Sequence, residues 1–361
     1  MMEILDNIAL LAVSFFLLAK GADFFVDGAS EVAAKLKIPQ IIIGLTIVAM
    51  GTSAPEAAVS ISAALEGNAS ITIGNIVGSN ILNIFIILGI SAAITRLAVG
   101  KDTSYVDIPV MLAATIILFV LGIDGTINVY DGIIFLVIFV LYLAYLFVIA
   151  RKRINKRELA AALESATAQS MPATVNFAAD GAQPMTAPDG QATGAYDGTA
   201  ADKTADEKEQ KKKTIWLSLG YTVLGLLMIV FGSNFAVDSA TYLAEKMGVT
   251  DRFIGLTVVA LGTSLPELFT SVTAAIKKNA DIAIGNIVGS NIFNILFIVG
   301  LSSVITPVPF EKKFLIDAAI ALAAGVILWV PCLRKKSIGR ATGIIMLGAY
   351  CAYFIYLIFM Q

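Results

Sequence analysis

The 361-residue sequence contains no histidine, only two cysteines and few charged residues. Without histidine, the chain lacks the usual general base of enzymes and the commonest ligand of transition metals. Cys332 and Cys351 are too few for a disulfide framework or a zinc site. Charged residues make up 14% of the chain, against about a quarter in soluble domains. These absences argue against a soluble enzyme and against a transition-metal protein.

Long apolar runs account for much of the chain, which is 58% hydrophobic. Runs of about 18 or more apolar residues are typical of transmembrane helices. We therefore predict an all-α polytopic protein that crosses the cell membrane ten times. The predicted spans are 4–33, 40–65, 72–95, 105–122, 128–150, 215–244, 252–276, 282–304, 315–333 and 340–359.

One long polar segment separates the first five spans from the last five, so we divide the chain at 1–150, 151–213 and 214–361. The segment opens with the basic run 151–157, which we expect to continue the preceding helix as a short amphipathic helix. The remainder is rich in Ala, Gly, Thr, Asp and Pro and poor in large apolar residues, a composition typical of disorder. We predict a mostly disordered cytoplasmic loop.

The placement of lysine and arginine predicts the orientation in the membrane. Most basic residues fall in the connections from odd-numbered to even-numbered spans: Lys35, Lys37, Arg96, Lys101, 151–157, Lys211–Lys213, Lys277, Lys278, Arg334–Lys336 and Arg340. The other connections hold only Lys246, Arg252, Lys312 and Lys313. Because basic connections stay in the cytoplasm, this bias predicts an even number of spans with both termini extracellular.

A 40-residue block occurs twice. Residues 44–83 read GLTIVAMGTSAPEAAVSISAALEGNASITIGNIVGSNILN, and residues 255–294 read GLTVVALGTSLPELFTSVTAAIKKNADIAIGNIVGSNIFN. At a constant offset of 211, 26 of the 40 positions are identical. Each copy starts on the second span of a five-span half, and because five is odd the second half enters the membrane inverted. Two inverted halves that meet at the midplane are typical of secondary transporters.

The first part of the block places a proline beside an acid inside an apolar span. Pro55 has no amide hydrogen, so the carbonyl group of Gly51 loses its helical partner. An unpaired carbonyl group in the membrane needs another partner, and a bound cation is one. More oxygen atoms come from the side chains that surround the proline: Thr52, Ser53 and Glu56.

The second copy repeats this set of oxygen atoms with Thr263, Ser264, Pro266 and Glu267. An all-oxygen site with two carboxylates suits a hard cation such as calcium or sodium. The charges of Glu56 and Glu267 balance one divalent ion or two monovalent ions. An acid within a membrane span is a functional candidate by default, because burying its charge without a partner is costly.

The end of the block, GNIVGSNILN in the first copy and GNIVGSNIFN in the second, adds further candidates. Its GxxxG spacing allows close helix packing, which is a structural role. Ser79 and Asn83 are four residues apart and share one helix face, as do Ser290 and Asn294. We predict that these four side chains contribute to the cation site.

Four other polar residues admit two interpretations each. Asn75 and Asn80 serve either the site or helix packing. Asp27 and Asp238, which are related by the same offset, either line ion entry paths or mark the membrane interface.

The paired GTSAPE…GNIVGSNILN and GTSLPE…GNIVGSNIFN blocks resemble the two alpha-repeats of the cation/calcium exchanger superfamily, and most closely its prokaryotic sodium/calcium exchangers. The resemblance implies that Glu56 and Glu267 bind calcium together with the backbone carbonyl groups of Thr52 and Thr263. It implies sodium positions lined by Ala49, Ser53, Ser79, Ala260, Ser264 and Ser290, with Asn83 and Asn294 beside the centre. The transported ions would be Ca²⁺ and Na⁺.

Two departures refine the resemblance. Some relatives carry aspartate in one repeat where this chain has asparagine at both 83 and 294. The potassium-dependent branch has aspartate at the position of Asn294, which argues against potassium dependence here. The proton-coupled branch carries GNxxE in place of GTSxPE, which makes proton coupling the weaker hypothesis.

We therefore expect a sodium/calcium antiporter that works by alternating access, with a calcium/proton antiporter of the same fold as the alternative. At three sodium ions per calcium ion, the ratio that the resemblance implies, one net charge would cross per cycle. A hydrolase with Ser53 or Ser264 as nucleophile is strongly disfavoured, because no histidine or lysine accompanies either motif. We expect no prosthetic group, no nucleic acid and no protein partner, with the lipid bilayer as the surroundings.

Overall fold

The computed structural model describes residues 2–67, 69–170, 200–247 and 260–359. This part of the chain is helical apart from turns, short connections and four two-residue strands, in agreement with the predicted all-α class. The helices are α1 (Met2–Lys35), α2 (Gln40–Thr52), α3 (Ala54–Leu65), α4 (Ile71–Ile94), α5 (Thr103–Asp124), α6 (Val129–Ser170), α7 (Ala200–Lys246), α8 (Ala260–Thr263), α9 (Leu265–Ile276), α10 (Ala280–Ile305), α11 (Lys312–Lys335) and α12 (Arg340–Phe359). The strands are β1 (Leu97–Ala98), β2 (Thr126–Ile127), β3 (Val308–Pro309) and β4 (Ser337–Ile338).

Most of the predicted membrane spans are present as helices. Within the described residues, eight helices are long and apolar enough to cross a bilayer, and the bent pair α2–α3 makes a ninth span. The seventh predicted span, 252–276, is described only from Ala260 onward. A tenth crossing therefore stays a prediction.

The polar segment between the halves contains more helix than its composition predicts. Helix α6 continues through the basic run 151–157 to Ser170, and α7 begins at Ala200. Residues 200–213 are therefore helical, which differs from the predicted disorder. This stretch is rich in Ala, Glu and Lys, which favour helices, and it extends a membrane helix without a new nucleation cost. The rest of the predicted loop, 171–199, lies outside the described residues.

The four short strands show how the two halves are related. β1 pairs with β4 and β2 pairs with β3, both antiparallel. The offset of 211 that relates the sequence repeats also carries β1 onto β3 and β2 onto β4. Each sheet thus takes one strand from each half, and the two sheets lie at opposite ends of α5 and of α11. Two inverted halves are expected to pair in this way, because the earlier strand of one half then lies beside the later strand of the other.

The repeat helices form the centre of the molecule. In the most apolar window of each helix, the buried share is 94% for α10 and 78% for α4, but 28% for α1, α6 and α7 and 17% for α12. Both central helices contain a π-helical stretch, Asn83–Leu88 in α4 and Asn294–Val299 in α10, again related by 211. π-helical turns occur frequently at functional sites.

Helices α1 and α7 form a closely packed pair. A Cβ atom on Gly21 would lie 2.9 Å from the carbonyl oxygen of Gly225, and one on Gly225 would lie 2.6 Å from that of Gly21. Small residues recur every seventh position on both helices, which lets two membrane helices approach closely. They are Ser14, Gly21 and Gly28 in α1 and Gly225, Gly232 and Ser239 in α7.

One end of α1 is tied to the connection between α9 and α10. Lys277 Nζ lies 2.7 Å from Asp27 Oδ1 and 3.2 Å from Asp23 Oδ1, and Asn279 donates a hydrogen bond to Ser30 Oγ at 2.9 Å. Of the two interpretations of Asp27, this ion pair favours a position at the membrane interface. For Asp238, both interpretations, an ion entry path and a position at the membrane interface, stay open.

Candidate ion-binding site

Both GTSxPE motifs break a helix at their serine. Helix α2 ends before Ser53, which has φ −83° and ψ 9°, and the axis of α3 turns away by 50°. Ser264 has nearly the same backbone conformation, φ −91° and ψ 4°, between α8 and α9. In each copy the proline is the second residue of the new helix, where its missing N–H group removes no helical hydrogen bond. The interruption of the helix that Pro55 implies is present as a helix break at Ser53.

The two glutamates of the motifs lie in the first turns of the helices that follow the breaks. Glu56 is in α3 and Glu267 is in α9, and both side chains are completely buried. The amino-terminal end of a helix carries a partial positive charge, which stabilises a carboxylate in the first turn. Each break thus directs a helix terminus and an acid toward the interior.

Each carboxylate accepts a hydrogen bond from the opposite repeat. Ser53 Oγ donates to Glu267 Oε1 at 2.7 Å, and Ser264 Oγ donates to Glu56 Oε1 at 3.1 Å. The second oxygen of each carboxylate, Oε2, is buried and has no hydrogen-bond partner among the described residues. The two acids therefore face a shared interior region, and each has one oxygen free to bind another group.

The helices of the second block supply further oxygen atoms to this region. Ser79 Oγ lies 3.3 Å from Ser264 Oγ. Ser290 Oγ lies 3.4 Å from the carbonyl oxygen of Ala49 and 3.5 Å from Glu267 Oε1. Hydroxyl, carboxylate and backbone oxygens of both repeats thus come together in the middle of the central helices.

Three remaining candidates lie in the last turns of the helices that precede the breaks. Thr52 is the last residue of α2 and donates from Oγ1 to Asn286 Oδ1 at 2.9 Å. Ala260 and Thr263 lie in α8, whose last residue, Thr263, directly precedes Ser264. Their positions match those of Ala49 and Thr52 in the first copy.

Asn83 and Asn294 are also buried in this region. Each begins a π-helical stretch, and each lies one turn beyond a serine of the site, Ser79 and Ser290. The Oδ1 atoms of both side chains are buried and have no hydrogen-bond partner among the described residues. The described structure therefore leaves four unpartnered side-chain oxygens on the motif residues: Glu56 Oε2, Glu267 Oε2, Asn83 Oδ1 and Asn294 Oδ1.

The first asparagine of each GNIVGSN block supports the broken helix beside it. Asn75 Nδ2 donates to Ser60 Oγ at 2.9 Å, and Asn286 Nδ2 donates to Ser271 Oγ at 2.9 Å. Of the two interpretations of Asn75, the structure favours helix packing. The partner Ser60 and its counterpart Ser271 were not among the predicted residues, although serine at both positions of the repeat was a usable signal.

The donor set fits a hard cation. Across the described ranges, no three Asp, Glu, Cys or His side chains come together as a metal cluster. A cation between the repeats would therefore be held by two carboxylates with hydroxyl, amide and backbone oxygens. Calcium and sodium prefer such oxygen ligands.

These features are those of a multi-pass membrane transporter with a candidate cation site between two related halves. A family model described as sodium/calcium exchanger protein matches residues 7–148 and 217–359, which together cover most of both halves. The chain belongs to the sodium/calcium exchanger family. It is a cation exchanger and not an enzyme.

Individual relatives agree with this assignment. The chain is 36% identical to the putative antiporter CaxA of Alkalimonas amylolytica over 94% of its own length and 95% of that protein. It is 32% identical to the sodium/calcium exchanger MaX1 of Methanosarcina acetivorans, over 98% and 99% of the two chains. The solved structure of the sodium-calcium exchanger NCX_Mj, soaked with 10 mM Na⁺ and zero Ca²⁺, superimposes with a TM-score of 0.75 at 28% identity. That superposition covers 98% of this chain and 99% of the other.

Proposed function

We propose that the chain exchanges Na⁺ for Ca²⁺ by alternating access at one site between the two repeats. The observation that carries this proposal is the reciprocal hydrogen bonding of Glu56 and Glu267 to serines of the opposite repeat. A carboxylate pair that is completely buried needs compensating charge, and a transported cation supplies it. Because both repeats contribute to each carboxylate, a movement of one repeat against the other would expose the site to one side at a time.

In this proposal Glu56 and Glu267 bind Ca²⁺ together with the backbone carbonyl groups of Thr52 and Thr263. Sodium ions take overlapping positions lined by Ala49, Ser53, Ser79, Ala260, Ser264 and Ser290, with Asn83 and Asn294 beside the centre. Two carboxylates neutralise one Ca²⁺ or two Na⁺, so the two ions compete for the same oxygens. This competition couples the movements of the two ions.

Transport is electrogenic in this proposal, with ten spans and both termini outside the cell. Exchange of three Na⁺ for one Ca²⁺ moves one net charge, which couples the cycle to the membrane potential by about 2.3 kcal/mol per 100 mV. The orientation is supported by the grouping of basic connections: Arg96 Nε donates to Ser337 Oγ at 3.0 Å across the β1–β4 sheet, and Lys277 lies beside α1. Basic connections that share one end of the bundle fit a cytoplasmic face.

The test is calcium uptake into proteoliposomes driven by an outward sodium gradient. We expect uptake by the wild-type protein and loss of most of it in Glu56→Gln and in Glu267→Gln, because each change removes one of two compensating charges. Glu66→Gln is the matched control, since Glu66 is an exposed acid just beyond the end of α3. Uptake that survives either change at a site glutamate would contradict the assignment of these acids.

The same vesicles test the proton-coupled alternative. We expect no calcium uptake when a pH gradient replaces the sodium gradient in sodium-free buffer. Uptake under that condition would identify a calcium/proton antiporter of the same fold and overturn the proposed coupling to sodium.

A further inference from the structure

Four asparagine side chains form a hydrogen-bonded asparagine cluster between the central helices. Asn80 and Asn83 come from α4, and Asn291 and Asn294 come from α10. Every one of them is at most 3% exposed. Asn83 Nδ2 donates to Asn291 Oδ1 at 3.0 Å, and Asn294 Nδ2 donates to Asn80 Oδ1 at 3.0 Å. The asparagine cluster has the same two-fold relation as the rest of the site.

Two backbone carbonyl groups fix the orientation of the first pair of amides. Asn80 Nδ2 lies 3.3 Å from the carbonyl oxygen of Asn291, and Asn291 Nδ2 lies 3.3 Å from that of Asn80. A carbonyl oxygen only accepts hydrogen bonds, so the amide group that faces it must be the NH₂ group. The Oδ1 atoms of Asn80 and Asn291 therefore point away from these carbonyl groups.

The orientation of the second pair follows from the first. Asn80 Oδ1 only accepts, so Asn294 must present its NH₂ group to it, and Asn83 must do the same for Asn291 Oδ1. The oxygen atoms of Asn83 and Asn294 are then the free ends of the two amides, and both are buried and without a hydrogen-bond partner among the described residues. Hydrogen bonding alone thus decides which end of each amide remains available.

We propose that Asn80 and Asn291 are positioning residues that make Asn83 and Asn294 present oxygen, and not NH₂, to the transported cation. This inference rests on the proposed function, because it assumes that the unpartnered Oδ1 atoms of Asn83 and Asn294 face the transported cation. An amide without this support turns at little cost, and in its other orientation two N–H donors would face a positive ion. Aspartate at 83 or 294 would need no such support, because both of its ends are oxygen.

The asparagine cluster contains two arms that can be tested separately. The side chain of Asn80 is anchored on the backbone of Asn291 and orients Asn294, while the side chain of Asn291 is anchored on the backbone of Asn80 and orients Asn83. Removing the Asn80 side chain leaves its carbonyl group in place, so the other arm keeps its anchor. The geometry therefore predicts that Asn80 acts through Asn294 and not through Asn83.

The experiment is a set of double-mutant cycles on the full chain in detergent, with calcium binding measured by calorimetry in sodium-free buffer. We expect Asn80→Ala to weaken calcium binding about tenfold, as the loss of one oriented ligand would. In an Asn294→Ala background the same change should have an effect below about twofold, because no amide is left to orient. In an Asn83→Ala background it should keep its full effect.

The Asn291 arm supplies an independent cycle if Asn80→Ala fails to fold. Asn291→Ala should lose its effect in an Asn83→Ala background and keep it in an Asn294→Ala background. A packing role would give equal effects in both backgrounds and overturn the inference. If the wild-type protein binds calcium but the effects are equal, the inference alone fails; if the wild-type protein binds neither calcium nor sodium, the proposed function fails with it.

Discussion

Ser53 of the first repeat donates a hydrogen bond to Glu267 of the second repeat at 2.7 Å. Its counterpart, from Ser264 to Glu56, measures 3.1 Å. The break in each helix therefore has two effects at once: it aligns the acid of its own repeat with a helix terminus, and it brings a hydroxyl group to the acid of the other repeat. Neither half of the chain builds the site alone.

The two serines provide the first prediction. We expect Ser53→Ala and Ser264→Ala each to weaken calcium binding by about threefold to tenfold, because each removes a hydrogen bond to a buried charged group. Calorimetric titration of the purified protein measures the change. Ser62→Ala on the same helix α3 is the control, since Ser62 is exposed. Equal binding by all three variants would show that the cross-repeat hydrogen bonds do not support the site.

Close packing of α10 against α2 provides the second prediction. A Cβ atom on Gly289 would lie 2.7 Å from both Ala49 Cβ and the carbonyl oxygen of Leu45. We expect Gly289→Ala to destabilise the protein by about 1–3 kcal/mol, because the added methyl group overpacks this contact. The loss of stability is measured as a lower melting temperature in detergent. Gly348→Ala on α12 is the matched control, because a Cβ atom added at Gly348 would have no described atom within 4 Å. A melting temperature unchanged in both variants would contradict the geometry.

The ion pair at the end of α1 provides the third prediction. Lys277 joins α1 to the connection between α9 and α10, so it opposes separation of α1 from the central helices at that end. We expect Lys277→Gln to favour opening there and to shift the ratio of apparent calcium affinities on the two faces by up to about fivefold, as for an exposed ion pair. Transport in vesicles of known orientation measures this ratio.

Two further variants decide whether the ion pair itself is responsible. Lys278→Gln removes the neighbouring charge, which forms no ion pair with the described residues, and should leave the ratio unchanged. The exchange Lys277→Asp with Asp27→Lys should restore the wild-type ratio. A shift in the Lys278 variant equal to that in the Lys277 variant would indicate a general charge effect.

A pair of tyrosine–aspartate contacts provides the fourth prediction. Tyr142 on α6 donates to Asp107 at 3.2 Å, and Tyr353 on α12 donates to Asp317 at 3.1 Å. Because Asp107 is only 4% exposed, Tyr142→Phe would leave a buried acid with one partner fewer. We expect a loss of about 1–3 kcal/mol of stability, measured as a lower melting temperature. Tyr145→Phe, one turn away on α6, should have no such effect.

Much of the fold could be predicted from the sequence, because its signals are local. A membrane span requires only a long apolar run, and a proline interrupts its own helix, so the helices and the break before Pro55 follow from short segments. The helical residues 200–213 were missed because composition suggested disorder, whereas continuity with a membrane helix favours a helix. The asparagine cluster could not be foreseen, since its hydrogen bonds join residues more than 200 positions apart.

The apolar runs are sufficient to predict that this protein crosses the membrane repeatedly, and the internal repeat is sufficient to identify two related halves. The geometry of proline is sufficient to place a glutamate beside a helix break in each half. That the halves are inverted is a prediction from an odd number of spans in each. Which atoms meet is known from the folded chain alone: each glutamate accepts a hydrogen bond from the opposite repeat, Asn75 donates to Ser60, and Asn294 donates to Asn80. Hydrogen bonds act over about 3 Å, and positions in the sequence do not specify distances of that size between separate helices.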